Sequence, residues 1–140
     1  KVAKELGKFY HSKKNWEKAI RFYEIQLNKI PDELETALLL LECYTEKGDF
    51  DVIEKKTEVF LQIYPTQPQF YYYSGLAFNQ KGVFKKAKNI LESGLDFIID
   101  DPELEINFNI QLGEAYNGLG DMKKKEYYFS KAESALKNKK

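Results

Sequence analysis

The sequence predicts an all-α protein, an α-solenoid of four helix-turn-helix units, and three observations predict it. Matching positions recur at a fixed interval: Gly7, Leu41 and Gly75 stand 34 residues apart, and Gly113 follows 38 later. Tyr10, Tyr44, Phe78 and Tyr116 keep the same intervals, as do Trp16, Phe50, Phe84 and Met122. Turn residues punctuate that period at Gly48, Gly82 and Gly120 and at Pro31 and Pro65. Self-similarity of this length marks a repeat architecture, in which no unit buries its apolar face alone and neighbours stack to share one core.

Taken in order, the first unit reads as a helix over 2–13, a turn at Asn15 and a helix over 16–29, ended by Pro31. Asn15 is a good N-cap because its side-chain oxygen can accept from a free N–H of the first turn. The second unit reads as helices over 33–47 and 50–64, with Gly48 as the left-handed stop and Asp49 as the next cap. The third reads as helices over 69–81 and 84–99, and Val83 stands where a capping side chain is wanted, so this helix start is the weakest of the set. The fourth reads as helices over 102–118 and 122–137, with Pro102 at a first helical position and Asp121 as cap. The third period is longer by four residues, about one helical turn. The stretch Gly94 to Asp101 is expected to absorb them as extra helix near Phe97–Asp101, extending the facing ends of two helices, because Phe97, Ile98 and Ile99 are poor residues for exposed coil.

The helix over 69–81 contains Phe70, Tyr71, Tyr72 and Tyr73 in succession. Successive helical residues step by about 100°, so these rings cover most of the circumference, whereas a surface helix needs one apolar stripe. Tyr71, Gly75 and Phe78 form one face and Phe70, Ser74 and Ala77 a second, leaving Tyr72, Leu76 and Asn79 on a third face available to a partner.

The totals bound the class. A chain of 140 residues with 43% hydrophobic content makes one ordinary domain, and no apolar run approaches the roughly 20 residues of a membrane-spanning helix. The chain opens at Lys1 without Met and reads as a piece of a longer protein, organised as a single domain over 1–140 with repeats at about 1–33, 34–67, 68–105 and 106–140. Charge is balanced at 22 basic and 22 acidic residues, and Arg21 is the one arginine, which argues against a nucleic-acid footprint. A single cysteine, Cys43, excludes an internal disulfide or a zinc cluster built on Cys. The compartment stays open between bacterial cytoplasm and periplasm. The heavy use of Lys, Asn, Ile and Tyr suggests an AT-rich genome.

These residues resemble the tetratricopeptide repeat, whose signature is W-x2-L-G-x2-Y, then A-x3-F, then P. The first unit matches at Leu6, Gly7, Tyr10, Ala19, Tyr23 and Pro31, the third at Gly75, Phe78 and Ala87, and the fourth at Leu112, Gly113, Tyr116, Phe129 and Ala132. The second unit departs, with Leu41 and Ile53 at the small positions and Thr57 at an aromatic one, so its two helices should stand further apart. The fourth puts Lys125 at a small position. The resemblance implies a right-handed superhelical array with a concave groove, lined by the first helix of each unit and taking a peptide or helix of another protein. By register that groove consists of Leu38, Glu42, Gln69, Tyr72, Leu76, Asn79, Asn107, Ile110, Glu114 and Asn117, with Glu35 and Thr45 beside them and Lys4, Lys8 and His11 at the rim. Tyr72 is the expected anchor. A subclass of the family clamps a C-terminal carboxylate with Lys and Asn from one unit and Lys and Arg from another. Lys4, Lys8, Gln69 and Tyr73 in one register, or Leu38, Glu42, Asn107 and Gln111 in the next, do not supply that set.

Other chemistry finds little support. His11 is the one histidine, with no second His or placed carboxylate in the sequence to make it a catalyst or ligand, so a surface position is expected. Cys43 falls on an inter-helix face beside Thr36 and reads as a buried structural thiol. The acids from Asp100 to Glu105 lack the alternation and central Gly of a calcium loop and suit a helix start. The reading is therefore a non-catalytic protein-interaction scaffold, without metal or cofactor. The alternative is a self-association or regulatory segment of a larger protein working through its open ends. Helical-repeat RNA binding comes behind both, since Glu35, Glu42 and Glu114 interrupt any basic groove.

Overall fold

The computed structural model describes residues 1–138, and all of the regular structure among them is helical. In chain order the helices are α1 (Val2–Ser12), α2 (Trp16–Lys29), α3 (Leu34–Lys47), α4 (Phe50–Ile63), α5 (Pro68–Gln80), α6 (Phe84–Leu95), α7 (Pro102–Leu119) and α8 (Met122–Lys137). They pair in sequence into four hairpins, one per repeat. The chain forms two compact units, an N-terminal one over Lys1–Ile63 and a C-terminal one from Tyr64 onward. The last two positions of the fourth repeat, 139–140, lie outside the described residues.

The local signals act as the sequence leads one to expect. Asn15 accepts from Lys18 N at 3.3 Å and Asp121 from Lys124 N at 3.1 Å, each satisfying an orphan donor of its helix. Gly48 and Gly120 end α3 and α7 in the left-handed conformation, at φ 77° and 79°. Val83 precedes α6 without any side-chain cap.

The repeat register is fixed by size complementarity inside each hairpin. A Cβ on Gly7 would overlap the ring of Tyr23, one on Gly75 the side chain of Leu91, and one on Gly113 the ring of Phe129. In all three the glycine of the first helix faces the residue at the same offset on the second. In the second repeat that offset pairs Leu41 with Thr57, large against small, and both are fully buried. The exchange does not restore the close approach, because Ile53 still fills the other small position. The backbones of α3 and α4 approach each other less closely than do the paired helices of the other three hairpins. The expected widening of the second repeat is thus present.

One boundary needs correction. Helix α6 stops at Leu95 instead of running to Ile99, so Phe97–Asp101 do not form the expected helical turn. Of the two facing ends expected to be extended, only the start of α7 is, which makes that helix 18 residues long against 14 for α3. The fourth hairpin accordingly begins at Pro102, inside the stretch assigned to the third repeat. The cause is the strong start signal at this point. Asp101 accepts from Leu104 N at 3.1 Å, and Pro102 disfavours helical backbone in the residue before it. Asp100 turns the chain at φ 50°, and Ile99 is left 79% exposed. Phe97 is held, by a tilted contact with Tyr71 at 5.6 Å.

Candidate interaction surface

Within the N-terminal unit, the first helices meet through charge. Lys4 Nζ lies 2.6 Å from Glu35 and 3.8 Å from Glu33, and Lys8 Nζ lies 3.2 Å from Glu35. Hydrogen bonding to Glu35 raises the Lys4 amine above its ordinary range, and Lys4 and Lys8 hold the Glu35 carboxyl below its own. Glu33 is lowered too, first by the Thr36 hydroxyl and then by Gln26, which donates at 3.1 Å. The rim cations assigned from the sequence are therefore tied to the next repeat.

His11 is not the surface residue expected. Its Nε2 lies 2.7 Å from Glu42, and its Nδ1 lies 3.0 Å from the Tyr23 hydroxyl and 3.6 Å from Cys43 Sγ. With Nε2–H donating to the carboxylate, a neutral ring leaves Nδ1 to accept from Tyr23. Trp16 and Tyr23 flank the imidazole edge-on, at 5.6 and 5.8 Å. Cys43 is fully buried as expected, and burial pushes its thiol up to about 12, away from the thiolate that nucleophilic chemistry needs. Of the groove residues assigned to this unit, Leu38 is half-buried and Glu42 is engaged by His11.

In the C-terminal unit the same seam is made of rings and amides. Tyr72 packs on Phe108 of α7 at 6.0 Å, and burial raises its phenol. One turn on, Leu76 is buried, and Asn79 Nδ2 donates to both the backbone and side-chain oxygens of Gln111 at 2.9 Å. Asn79 Oδ1 is left buried without a hydrogen-bond partner. The third face of α5 is thus not wholly free, since α7 takes part of it. Gln69 is half-buried and accepts from Gln67. The open part lies on α7, where Asn107 is half-buried and Ile110, Glu114 and Asn117 are exposed on one stripe. Ile110, 38% exposed, also borders a cleft of about 400 Å³ between α7 and α8 that Glu126 and Glu133 line beside Phe129 and Leu136.

Two repeated devices were not foreseen from the sequence. Tyr44 donates to Glu24 at 2.7 Å and Tyr116 donates to Glu92, so each unit ties its second hairpin to its first with the same pair. Lys18 lies 5.0 Å above the ring of Tyr10, Lys86 5.8 Å above Phe78 and Lys124 5.2 Å above Tyr116, at one offset in three repeats. Aligning the periods for charged as well as small residues would have found both. Among the described residues no group of three His, Cys, Asp or Glu side chains is placed to hold a metal ion, and no helix is long and apolar enough to cross a membrane.

Among the described residues, eight helices in four hairpins, three of them locked by glycine against a large side chain at one offset, define a tetratricopeptide-type helical repeat fold. Solved structures share it. MamA of strain AMB-1 superposes with a TM-score of 0.81 at 19% identity, over 98% of this chain and 79% of that one. MamA of Desulfovibrio magneticus RS-1 gives 0.82 at 16% identity, over 97% and 75%. A thermophilic tetratricopeptide-repeat protein of Thermus thermophilus gives 0.74 at 16% identity, over 96% and 73%. No family model and no curated protein sequence matches the chain.

Proposed function

We propose that the chain is a non-catalytic protein-interaction module that takes a peptide or helix of another protein on the exposed faces of its first helices. The observation that carries this reading is the α7 stripe, where an exposed Ile110 is set among Asn107, Glu114 and Asn117. An apolar side chain ringed by groups that can donate and accept is the usual composition of a binding centre. Glu42 in the N-terminal unit, and Gln69, Tyr72, Leu76 and Asn79 in the C-terminal one, act as support within their own unit, because most of them are engaged by neighbouring side chains. Ile110 rather than Tyr72 is the better anchor, since the Tyr72 ring is committed to Phe108.

Site-specific photo-crosslinking in the native host tests this. A photo-reactive residue at Asn117 should yield one dominant protein adduct, which Ile110→Asp abolishes without loss of helical circular dichroism. Equal adducts from Asn117 and from Lys131 on α8, or insensitivity to Ile110→Asp, would overturn it.

A further inference from the structure

The second helices of the C-terminal unit start differently from those of the N-terminal unit. α2 and α4 carry Glu17 and Asp51 in their first turns, where an acid suits the positive end of the helix dipole. α6 and α8 have no acid there. Lys85 and Lys86 open the one, and Lys123, Lys124 and Lys125 the other, against that local preference. Apolar side chains stand at both turns as well. Val83 holds the N-cap position of α6 without a capping bond and is 37% exposed, and Leu119, at the turn into α8, is 44% exposed.

The two turns form one edge. Gly118 lies against the ring of Phe84, and Lys88 and Lys124 both lie over the ring of Tyr116, at 5.9 and 5.2 Å. Residues 81–88 hold lysines and no Asp or Glu, and Asp121, the acid of the second turn, is engaged as a cap by Lys124 N. Lys85, Lys86, Lys123 and Lys124 are exposed. Their exposure belongs to the turns themselves: Lys85 and Lys86 are open with the fourth hairpin beside them, and Lys123 and Lys124 hold the same register 38 positions on. The N-terminal unit lacks such an edge. There Glu17, Asp49 and Asp51 stand among the lysines, and Lys47 pairs with Asp49 at 3.4 Å.

We infer that this edge rests on an anionic lipid surface, with the lysines at the headgroups and Val83 and Leu119 at the acyl boundary. Charge favours that occupant. The acids of the unit gather at the other end of α7, where Asp96, Asp100, Glu103 and Glu105 are exposed. Its 18 residues span roughly 27 Å, well beyond the screening length of about 8 Å in physiological salt, so these acids do not offset the lysines at a surface. The apolar tips decide between anions. A nucleic acid or an acidic peptide draws on the lysines alone, whereas a bilayer takes both, because lysine stems snorkel and apolar side chains enter the interface. The one arginine of the chain, Arg21, lies in the other unit, so the edge has no planar fork for phosphate or bases.

Co-sedimentation of the intact 140-residue chain with vesicles tests the inference. The chain should pellet with vesicles of equal parts phosphatidylcholine and phosphatidylglycerol and stay in solution with phosphatidylcholine alone. Salt of about 1 M, where the screening length is roughly 3 Å, should release it. A lysine near an anionic surface contributes roughly fivefold to binding, so Lys85→Gln with Lys123→Gln should weaken it at least about tenfold. Lys29→Gln with Lys55→Gln removes the same charge from exposed positions of the other unit and should change binding less than about twofold. Val83→Ser removes an apolar tip while supplying a cap, so it should raise the thermal midpoint and yet weaken vesicle binding severalfold. No pelleting with the mixed vesicles, or equal losses from the two lysine pairs, would overturn the inference. Loss from the edge pair with Val83→Ser binding as tightly as wild type would overturn the lipid assignment in favour of a soluble polyanion.

Discussion

The two units use one register and fill it with different chemistry. In the N-terminal unit the first helices are joined by Lys4, Lys8 and His11 to Glu35 and Glu42. In the C-terminal unit the corresponding seam is Tyr72 on Phe108 and Asn79 on Gln111, and a buried cluster of Leu91, Leu104, Phe108, Leu112 and Tyr116 runs through both hairpins. The comparison shows what a repeat fold fixes. Glycine against a large side chain sets the spacing within a hairpin. The seam between hairpins is free to be ionic or apolar, and that choice decides how each unit responds to solvent and how much of its first-helix surface stays open.

The comparison breaks most sharply at Phe108. Its ring is fully buried, so Phe108→Ala should destabilise the C-terminal unit by about 3–5 kcal/mol in urea denaturation. A loss well below that range would mean the cluster is not the spine of this unit. Gly75→Leu should cost about 1–3 kcal/mol, because Leu91 already fills the space a side chain would need. An unchanged midpoint would show the register to be wrong. Val83→Asp should do the opposite and stabilise the start of α6 by about 1 kcal/mol by supplying the missing cap. No gain in thermal midpoint would mean that the N–H groups of the first turn are already satisfied.

The smallest expected effect is the most diagnostic of the ionic seam. Glu33 and Glu35 are both held below their ordinary 4.5, so their contribution is complete above that value and lost as pH falls through their lowered pKa values. Lys4, raised above 10.5, loses its contribution at the alkaline end as pH rises through its folded pKa. The variant Glu33→Gln with Glu35→Gln should therefore be less stable than wild type at pH 7 and equal to it at strongly acid pH. A difference that persists in acid would show that the two side chains act through packing.

How much of this was legible in the sequence follows from what each signal depends on. The hairpins, their caps and the wide second repeat come from local chemistry and period, and Asn15, Asp121, Gly48 and Leu41 carry it. Of the four extra residues, the early start of α7 at Pro102 was legible, and the end of α6 at Leu95 was not. Four residues advance a helix by about 400°, so either flanking helix could absorb them with its faces in phase. The choice fell to the cap at Asp101. The roles of Tyr72 and His11 were hidden for a related reason. Both depend on residues roughly one repeat further on, Phe108 for the first and Glu42 and Cys43 for the second, and a face that looks free within one helix is covered by the next.

The most direct measurement is hydrogen exchange of the intact chain at pH 7, in low salt and in 1 M NaCl, read by mass spectrometry for each helix. At 1 M the screening length falls to about 3 Å, enough to weaken exposed ion pairs while leaving apolar packing intact. The account predicts that α1 and α3 lose protection selectively in high salt while α5 and α7 keep theirs. Equal loss in both units, or loss confined to α5 and α7, would contradict it.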